Sequence, residues 1–192
     1  MSAITTGYLA SPDPTPSGSV QTVAAPAGQF RIVDPRDPIA APLLADLERE
    51  YDTRYGVVGG DSASTEMHRY PAERFLAPEG AFIVLVHDDS VVAGGAFMRF
   101  DARTAEFKRI WTRTDHRGRG LGKRVLTELE RRAAELGYAE IFLTTGPRQP
   151  EAVALYRGTG YTHLHTPEDD AQRGTRGFGV HGFRKTLGGN AP

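Results

Sequence analysis

The 192-residue chain has no cysteine, which excludes disulfides, thiolate nucleophiles and cysteine-based zinc sites. It also has almost no net charge, with 23 Lys plus Arg against 24 Asp plus Glu. The broad positive field that non-specific nucleic-acid or acidic-membrane binding requires is therefore missing. No stretch approaches the roughly 20 apolar residues of a spanning helix, and the first residues show neither a basic nor an apolar signal region. The expectation is a cytoplasmic protein with no membrane and no nucleic-acid partner. Lysine is scarce as well, 3 against 20 arginines, a bias read as coding composition rather than chemistry.

What is present suffices for one buried core: 39% of residues are hydrophobic, enough for a single domain with a remainder. Residues 1–28 carry one charge, Asp13, among Ser, Thr, Pro, Gly and Ala. Such a segment buries too little apolar surface to offset its ordering entropy, so it reads as a disordered tail. The domain is expected over 29–187, with a second short tail at 188–192.

Within the domain the hydrophobic period switches repeatedly. Phe30–Val33 reads as a strand, and Asp37-Pro38 offers an N-cap for a helix carrying Leu43, Leu44, Leu47 and Tyr51, although Pro42 pushes its start later. A loop from Gly56 to about Tyr70 has the length of a lid or binding segment, and a short helix follows at Pro71–Leu76. Ala81–Val86, the turn His87–Ser90 and Val91–Phe100 read as a hairpin of buried strands. In the next strand, alternation places Ala105, Phe107, Arg109 and Trp111 on one face and Glu106, Lys108, Ile110 and Thr112 on the other. Both faces mix polar and apolar residues, as expected of a strand lining a cleft. Leu121, Val125, Leu126, Leu129, Ala133 and Leu136 recur at steps of three and four, with Gly137 where a helix-ending glycine belongs. A strand at Glu140–Thr145, a helix over about Gln149–Arg157, and strands near Tyr161–His165 and Phe178–Thr186 complete an α/β (α+β) sandwich.

The chemically informative segment is Asp115-His116-Arg117-Gly118-Arg119-Gly120-Leu121-Gly122-Lys123-Arg124, between a strand and the clearest helix. Its glycines let the backbone turn tightly, and the positive end of the following helix favours an anion such as a pyrophosphate. A Walker A loop is excluded, since Arg117 takes the first glycine position and Arg124 follows Lys123 where a hydroxyl is needed. The dinucleotide fingerprint fails too: its third glycine falls on Lys123 or on Val125.

The loop resembles instead the acetyl-CoA signature of the GNAT superfamily of N-acetyltransferases, Gln or Arg, two residues, Gly, one residue, Gly or Ala, matched by Arg117, Gly120 and Gly122. Downstream, Glu151-Ala152-Val153-Ala154-Leu155-Tyr156 followed by Gly158, Gly160 and Tyr161 is similar to that family's second signature. The resemblance covers about residues 29–187. It implies a mixed, mostly antiparallel sheet with splayed central parallel strands and flanking helices, and acetyl-CoA as co-substrate without a metal. It also implies cofactor contacts from main-chain groups of Ile110, Trp111 and Thr112, and from the loop residues Arg117, Gly118, Arg119, Gly120, Leu121, Gly122 and Lys123. The side chains of Arg117 and Arg119 are read equally as phosphate contacts or as a solvated rim. Gln149 stands where the family often has Asn against the pantetheine arm, which keeps the amide on a longer stem.

By the same resemblance, Tyr156 protonates the departing thiolate and Glu106 accepts the amine proton, directly or through water. Their alternatives are a packed core tyrosine and an ion pair of Glu106 with Lys108 or an arginine. The six histidines show no metal pattern: His163 and His165 share a strand face without an evident third ligand. His116 and His181 read as surface or acceptor-side residues. The acidic run Glu168-Asp169-Asp170 is a candidate attractor for an amine cation, or simply solvated surface, and Tyr51 and Tyr55 are candidate acceptor-side walls. The expected activity is direct transfer of an acetyl group to a primary amine of a small, amino-acid-like acceptor. The alternatives are a peptide or protein N-acetyltransferase and a non-catalytic acyl-CoA-binding module; a homodimer is left open.

Overall fold

The apolar runs of the sequence form a seven-stranded sheet, and the amphipathic runs cover its two faces. The computed structural model describes residues 27–58, 61–62, 65–172 and 179–188. The expected tails, 1–28 and 188–192, lie outside the described residues except for Ala27, Gly28 and Gly188, and so does Phe178. In chain order the elements are β1 (Gln29–Ile32), α1 (Ala41–Tyr55), β2 (Val57–Val58), β3 (Asp61–Ser62), α2 (Thr65–His68), β4 (Ala81–His87), β5 (Ser90–Arg99), β6 (Thr104–Thr112), α3 (Leu121–Glu135), β7 (Glu140–Thr145), α4 (Pro150–Gly158), β8 (Thr162–His165), α5 (Pro167–Gln172) and β9 (His181–Thr186). The sheet runs β1-β4-β5-β6-β7-β9-β8. Its pairs are antiparallel except β6–β7, which is parallel. Among the described residues no helix is long and apolar enough to cross a membrane.

Local chemistry explains the helix ends. Asp37 caps not α1 itself but a 3-10 turn at Pro38–Ala40, accepting from Ile39 N at 3.1 Å. α1 then starts at Ala41 with Pro42 in its first turn, where a missing N–H costs nothing. α3 buries Leu121, Val125, Leu126, Leu129 and Ala133, and Gly137 follows it at φ 89°, a left-handed conformation that favours glycine. β2 with β3, α2 and α5 fall in stretches where the sequence showed only loop.

Two hydrophobic clusters sandwich the sheet. One joins α3 and α4 to Ile83, Leu85, Phe97, Phe107, Leu143 and Phe183. The other joins Leu43 and Leu47 of α1 and Met67 of α2 to Phe75, Phe82, Val84, Met98 and Trp111. Across it, Trp111 Nε1 donates to Asp46 Oδ2 at 3.1 Å, tying β6 to α1.

β6 departs from the strict alternation expected of it. Lys108 pairs with Ala96 and Trp111 with Gly94, so Arg109 and Ile110 together face Gly95. This is a β-bulge, with Arg109 at φ 59°. The extra residue flips the faces. Ala105, Phe107 and Ile110 pack on the α3 side, whereas Trp111 packs on the α1 side. Arg109 thus does not share a face with Phe107.

Candidate active site

The parallel pairing of β6 and β7 runs from Thr104 with Glu140 to Phe107 with Leu143 and then stops, although both strands continue. A cavity of about 840 Å³ opens there. Its walls come from residues 106–112 of β6, Thr144 and Thr145 at the end of β7 with Gly146 after it, the turn before α3, α4, and the α1–α2 side of the sheet. A strand edge without a ladder partner offers backbone donors and acceptors that a ligand can satisfy.

The glycine turn forms one end of this cavity. Gly118 and Gly120 have φ of 74° and 77°, so both use the left-handed conformation that a side chain would strain. The first bond inside α3 is from Arg124 N to Gly120 O at 3.2 Å, and Gly120 provides no side-chain cap. The N–H groups of Leu121, Gly122 and Lys123 therefore precede the helical ladder, at the positive end of a 15-residue helix with no acidic residue in its first turn. Gly122 has a second role: a Cβ there would lie 3.0 Å from Leu155 Cδ2, so its absence lets α3 and α4 approach.

Of the residues singled out in the sequence, Glu106, Ile110, Trp111, Thr112, Arg117, Gly118, Gly120, Leu121, Gly122, Lys123, Gln149 and Tyr156 all line the cavity, whereas Arg119 does not. Arg117 is engaged within the protein: its Nε donates to Thr112 O at 3.0 Å and its Nη2 to Glu50 Oε2 at 2.8 Å. Gln149 Oε1 accepts from Thr145 Oγ1 at 2.5 Å and Gly146 N at 3.3 Å, so the carbonyl end of the amide joins β7 to α4.

Tyr156 is 6% exposed and packs against Tyr161 and Phe183, with ring centroids 5.8 and 5.3 Å away. Burial, with a smaller contribution from Tyr51, pushes its phenol above the usual range. The hydroxyl therefore keeps its proton through neutral pH. Glu106, 7% exposed, pairs through Oε1 with Lys108 Nζ at 2.6 Å, and that ammonium stands 5.3 Å from the Tyr70 ring. A carboxylate has a second oxygen with which to accept a proton from water or an amine.

Sequence reasoning missed two groups because both depend on distant partners. In the first, the end of α1 is bound to the β7–α4 connection. Arg54 pairs with Glu50 and Glu151, Arg54 and Arg148 each donate to the other's carbonyl at 2.5 and 2.6 Å, and Arg148 N donates to Tyr55 Oη at 3.2 Å. In the second, Arg109 Nη2 donates to Met67 O at 2.6 Å and its guanidinium lies 4.3 Å from the Phe75 ring centre. Burial lowers the pKa of Arg109.

The other candidates stand elsewhere. Asp169 Oδ2 accepts from Thr166 N at 2.7 Å and Thr166 Oγ1 at 3.0 Å, which places it at the start of α5 rather than in the cavity wall. Glu168 is exposed, and the Asp170 side chain lies outside the described residues. His163 hydrogen-bonds His181 across 3.1 Å and Arg157 across 2.9 Å, and its pKa is lowered by burial, Arg157 and His181. Among the described residues no group of three or more His, Asp or Glu side chains could hold a metal ion.

Comparison with known proteins adds to this geometry. A family model described as the acetyltransferase (GNAT) family matches residues 44–161. The IAA acetyltransferase of Azospirillum brasilense is 30% identical over 128 residues, which cover 66% of this chain and 79% of that protein. The uncharacterized N-acetyltransferase YjgM of Escherichia coli K12 is 24% identical over 132 residues, 64% of this chain and 77% of its own length. Among solved structures, a GNAT family acetyltransferase from Elizabethkingia anophelis with acetyl-CoA bound superposes with a TM-score of 0.56 at 14% identity, over 83% of this chain and 98% of that one. With the glycine turn, the parted parallel strands and a family model spanning more than half the sequence, this chain belongs to the GNAT family of acetyltransferases, which transfer an acyl group from acetyl-CoA.

Proposed function

We propose that the cavity holds acetyl-CoA and that the protein moves the acetyl group directly onto the primary amine of a small, amino-acid-like molecule. The observation that carries this reading is the set of uncapped N–H groups at Leu121, Gly122 and Lys123 opening onto the same cavity as the parted strands and Tyr156. Those amides suit a pyrophosphate. Main-chain groups of Ile110, Trp111 and Thr112 run along the acyl and pantetheine arm, where a backbone N–H polarises the thioester carbonyl as a fixed donor. The free amide nitrogen of Gln149 is suited to the same arm.

Glu106 takes the proton that the attacking amine loses, through its second oxygen or a water. Tyr156, kept protonated by burial, supplies one to the departing sulfur. With no cysteine in the chain, no acetyl-cysteine intermediate forms, and both substrates are held together. Arg117 contributes to the phosphate end chiefly through its backbone, its side chain being held by Glu50 and Thr112. We assign the whole activity to a single domain over 29–187.

The deciding experiment measures acetyl-CoA binding by calorimetry and thiol release across a panel of amines. Saturable binding with turnover on small amines is expected. Binding without turnover on any amine or peptide would favour a non-catalytic acyl-CoA-binding module, and absence of binding would overturn the reading of the glycine turn.

A further inference from the structure

The cavity wall holds three carboxylates with described side chains, Glu50, Glu106 and Glu151, and each already has a cation. Glu106 pairs with Lys108 at 2.6 Å, Glu50 with Arg117 at 2.8 Å and with Arg54, and Glu151 with Arg54. Arg109 is the reverse case. Among the described side chains no carboxylate lies within ion-pair distance of it; its partners there are one carbonyl, Met67 O, and the face of Phe75. Glu48 favours its charge from a distance but stands against His68, 3.1 Å away. A guanidinium has five N–H donors, and a half-buried one without an anion is costly.

The backbone reinforces the point. Arg109 occupies the bulge of β6 at φ 59°, a conformation that a non-glycine residue holds only when its surroundings impose it. The bulge turns the guanidinium away from the α3-side core and toward Met67 and Phe75. Leu47, Tyr70 and Trp111 line the same cavity from the α1-side cluster to which Met67 and Phe75 belong. Glu106 and Arg109 stand three residues apart on one strand, with Cα atoms at most about 10 Å apart, and both line the same cavity, so one small molecule bearing an amine and an acid group can face the two side chains.

We infer that the acceptor carries a carboxylate beside its amine, held by the Arg109 guanidinium, and is an amino acid with an apolar or aromatic side chain. A planar guanidinium matches a carboxylate through two parallel hydrogen bonds. The inference rests on the N-acetyltransferase reading for the amine, but the anion site itself does not depend on turnover.

The test compares wild type, Arg109→Gln and Arg109→Lys. Arg109→Gln keeps a donor for Met67 O and removes the charge. The first arm measures kcat/KM for L-phenylalanine and for phenethylamine, its counterpart without the acid group. Wild type should favour the amino acid by about 10- to 100-fold, the worth of a charge-assisted hydrogen bond. In Arg109→Gln the ratio should fall to near one through a raised KM for phenylalanine, with the KM for acetyl-CoA unchanged. Arg109→Lys should keep part of the preference. Equal use of both compounds by wild type, or a preference retained in Arg109→Gln, would overturn the inference.

The second arm needs no catalysis. The rise in melting temperature is recorded with N-acetyl-L-phenylalanine and with its uncharged amide. Wild type should be stabilised by the acid alone and Arg109→Gln by neither; equal shifts in wild type overturn the anion site. Absence of thiol release with every amine, alongside an acid-specific shift, would count against the transferase reading while leaving the anion site supported. Should Arg109→Gln fail to fold, the wild-type ratios and Arg109→Lys still decide.

Discussion

Burial acts on Tyr156 in two ways at once: it packs the ring between Tyr161 and Phe183 and it keeps the hydroxyl protonated. Tyr156→Phe preserves the packing and removes only the hydroxyl, and with it the proton. The expected result is a fall in kcat of about 100-fold, within the usual range for a positioned acid, with acetyl-CoA affinity unchanged. Steady-state thiol release and calorimetry read the two quantities separately, and an unchanged kcat in a chemistry-limited assay dismisses the proton-donor role. A different residue-scale prediction concerns Asp46, which satisfies the buried Trp111 N–H. Asp46→Ala leaves that donor unpaired and should destabilise the fold by about 1–3 kcal/mol, measured by urea denaturation. The places of Tyr156 and Glu106 in the cavity wall were legible through the family resemblance, Tyr156 from the signature in α4 and Glu106 from its position on the strand before the glycine turn. The part played by Arg109 was not, because its direction is set by a bulge that local alternation cannot reveal.

Helix α3 shows how much a single element carries. Its apolar spacing, its terminal glycine and the glycine turn before it could all be read in order along the chain, since each is a local property. Its exposed N–H groups make a direct prediction: Gly120→Glu places a carboxylate at the positive helix end in a backbone conformation that disfavours side chains. Acetyl-CoA affinity should fall by more than about 100-fold, with little change in circular dichroism; retained binding would show that the turn is not the phosphate site. The β4–β5 hairpin was equally legible, from continuous apolar runs around a polar turn. α2, α5 and the β2–β3 ladder are too short to show a hydrophobic period and were not legible. Nor were the cross-links between α1 and the β7–α4 connection, where Arg54 meets Glu151 across 97 positions of sequence.

At the scale of the whole molecule, carboxylates in exposed ion pairs contribute to the response to acid. Hydrogen bonds from the Arg36 side chain and backbone hold Asp34 down from 3.8 to about 2. Those from Arg113 and then His116 do the same for Asp115. A carboxylate with a depressed folded-state value contributes stability that is present above its unfolded value and lost as pH falls through the folded one. The melting temperature should therefore decline between pH values of 3.8 and about 2. The double variant Asp34→Asn, Asp115→Asn should flatten that decline in a scanning-calorimetry series, and an undiminished slope would remove these two groups as its cause. The fold class was legible at this scale, since hydrophobic period and element order are carried by the whole chain.

The short parallel ladder has a mechanical consequence. Four residue pairs, Thr104 with Glu140 through Phe107 with Leu143, form the ladder between the β1-β4-β5-β6 half of the sheet and the β7-β9-β8 half, extended at its closed end by Ala139 N and Glu140 N donating to Arg103 O at 2.8 and 3.1 Å. The sheet has a seam, and the seam gapes where the cavity lies. A molecule lying along both parted strands works there as a stitch, lowering the chance that the halves breathe apart. Amide hydrogen exchange should slow on adding acetyl-CoA at residues 108–112 and 144–145, while the β4–β5 hairpin exchanges as before. Uniform slowing, or none at the parted strands, would show that the two halves are not joined in this way.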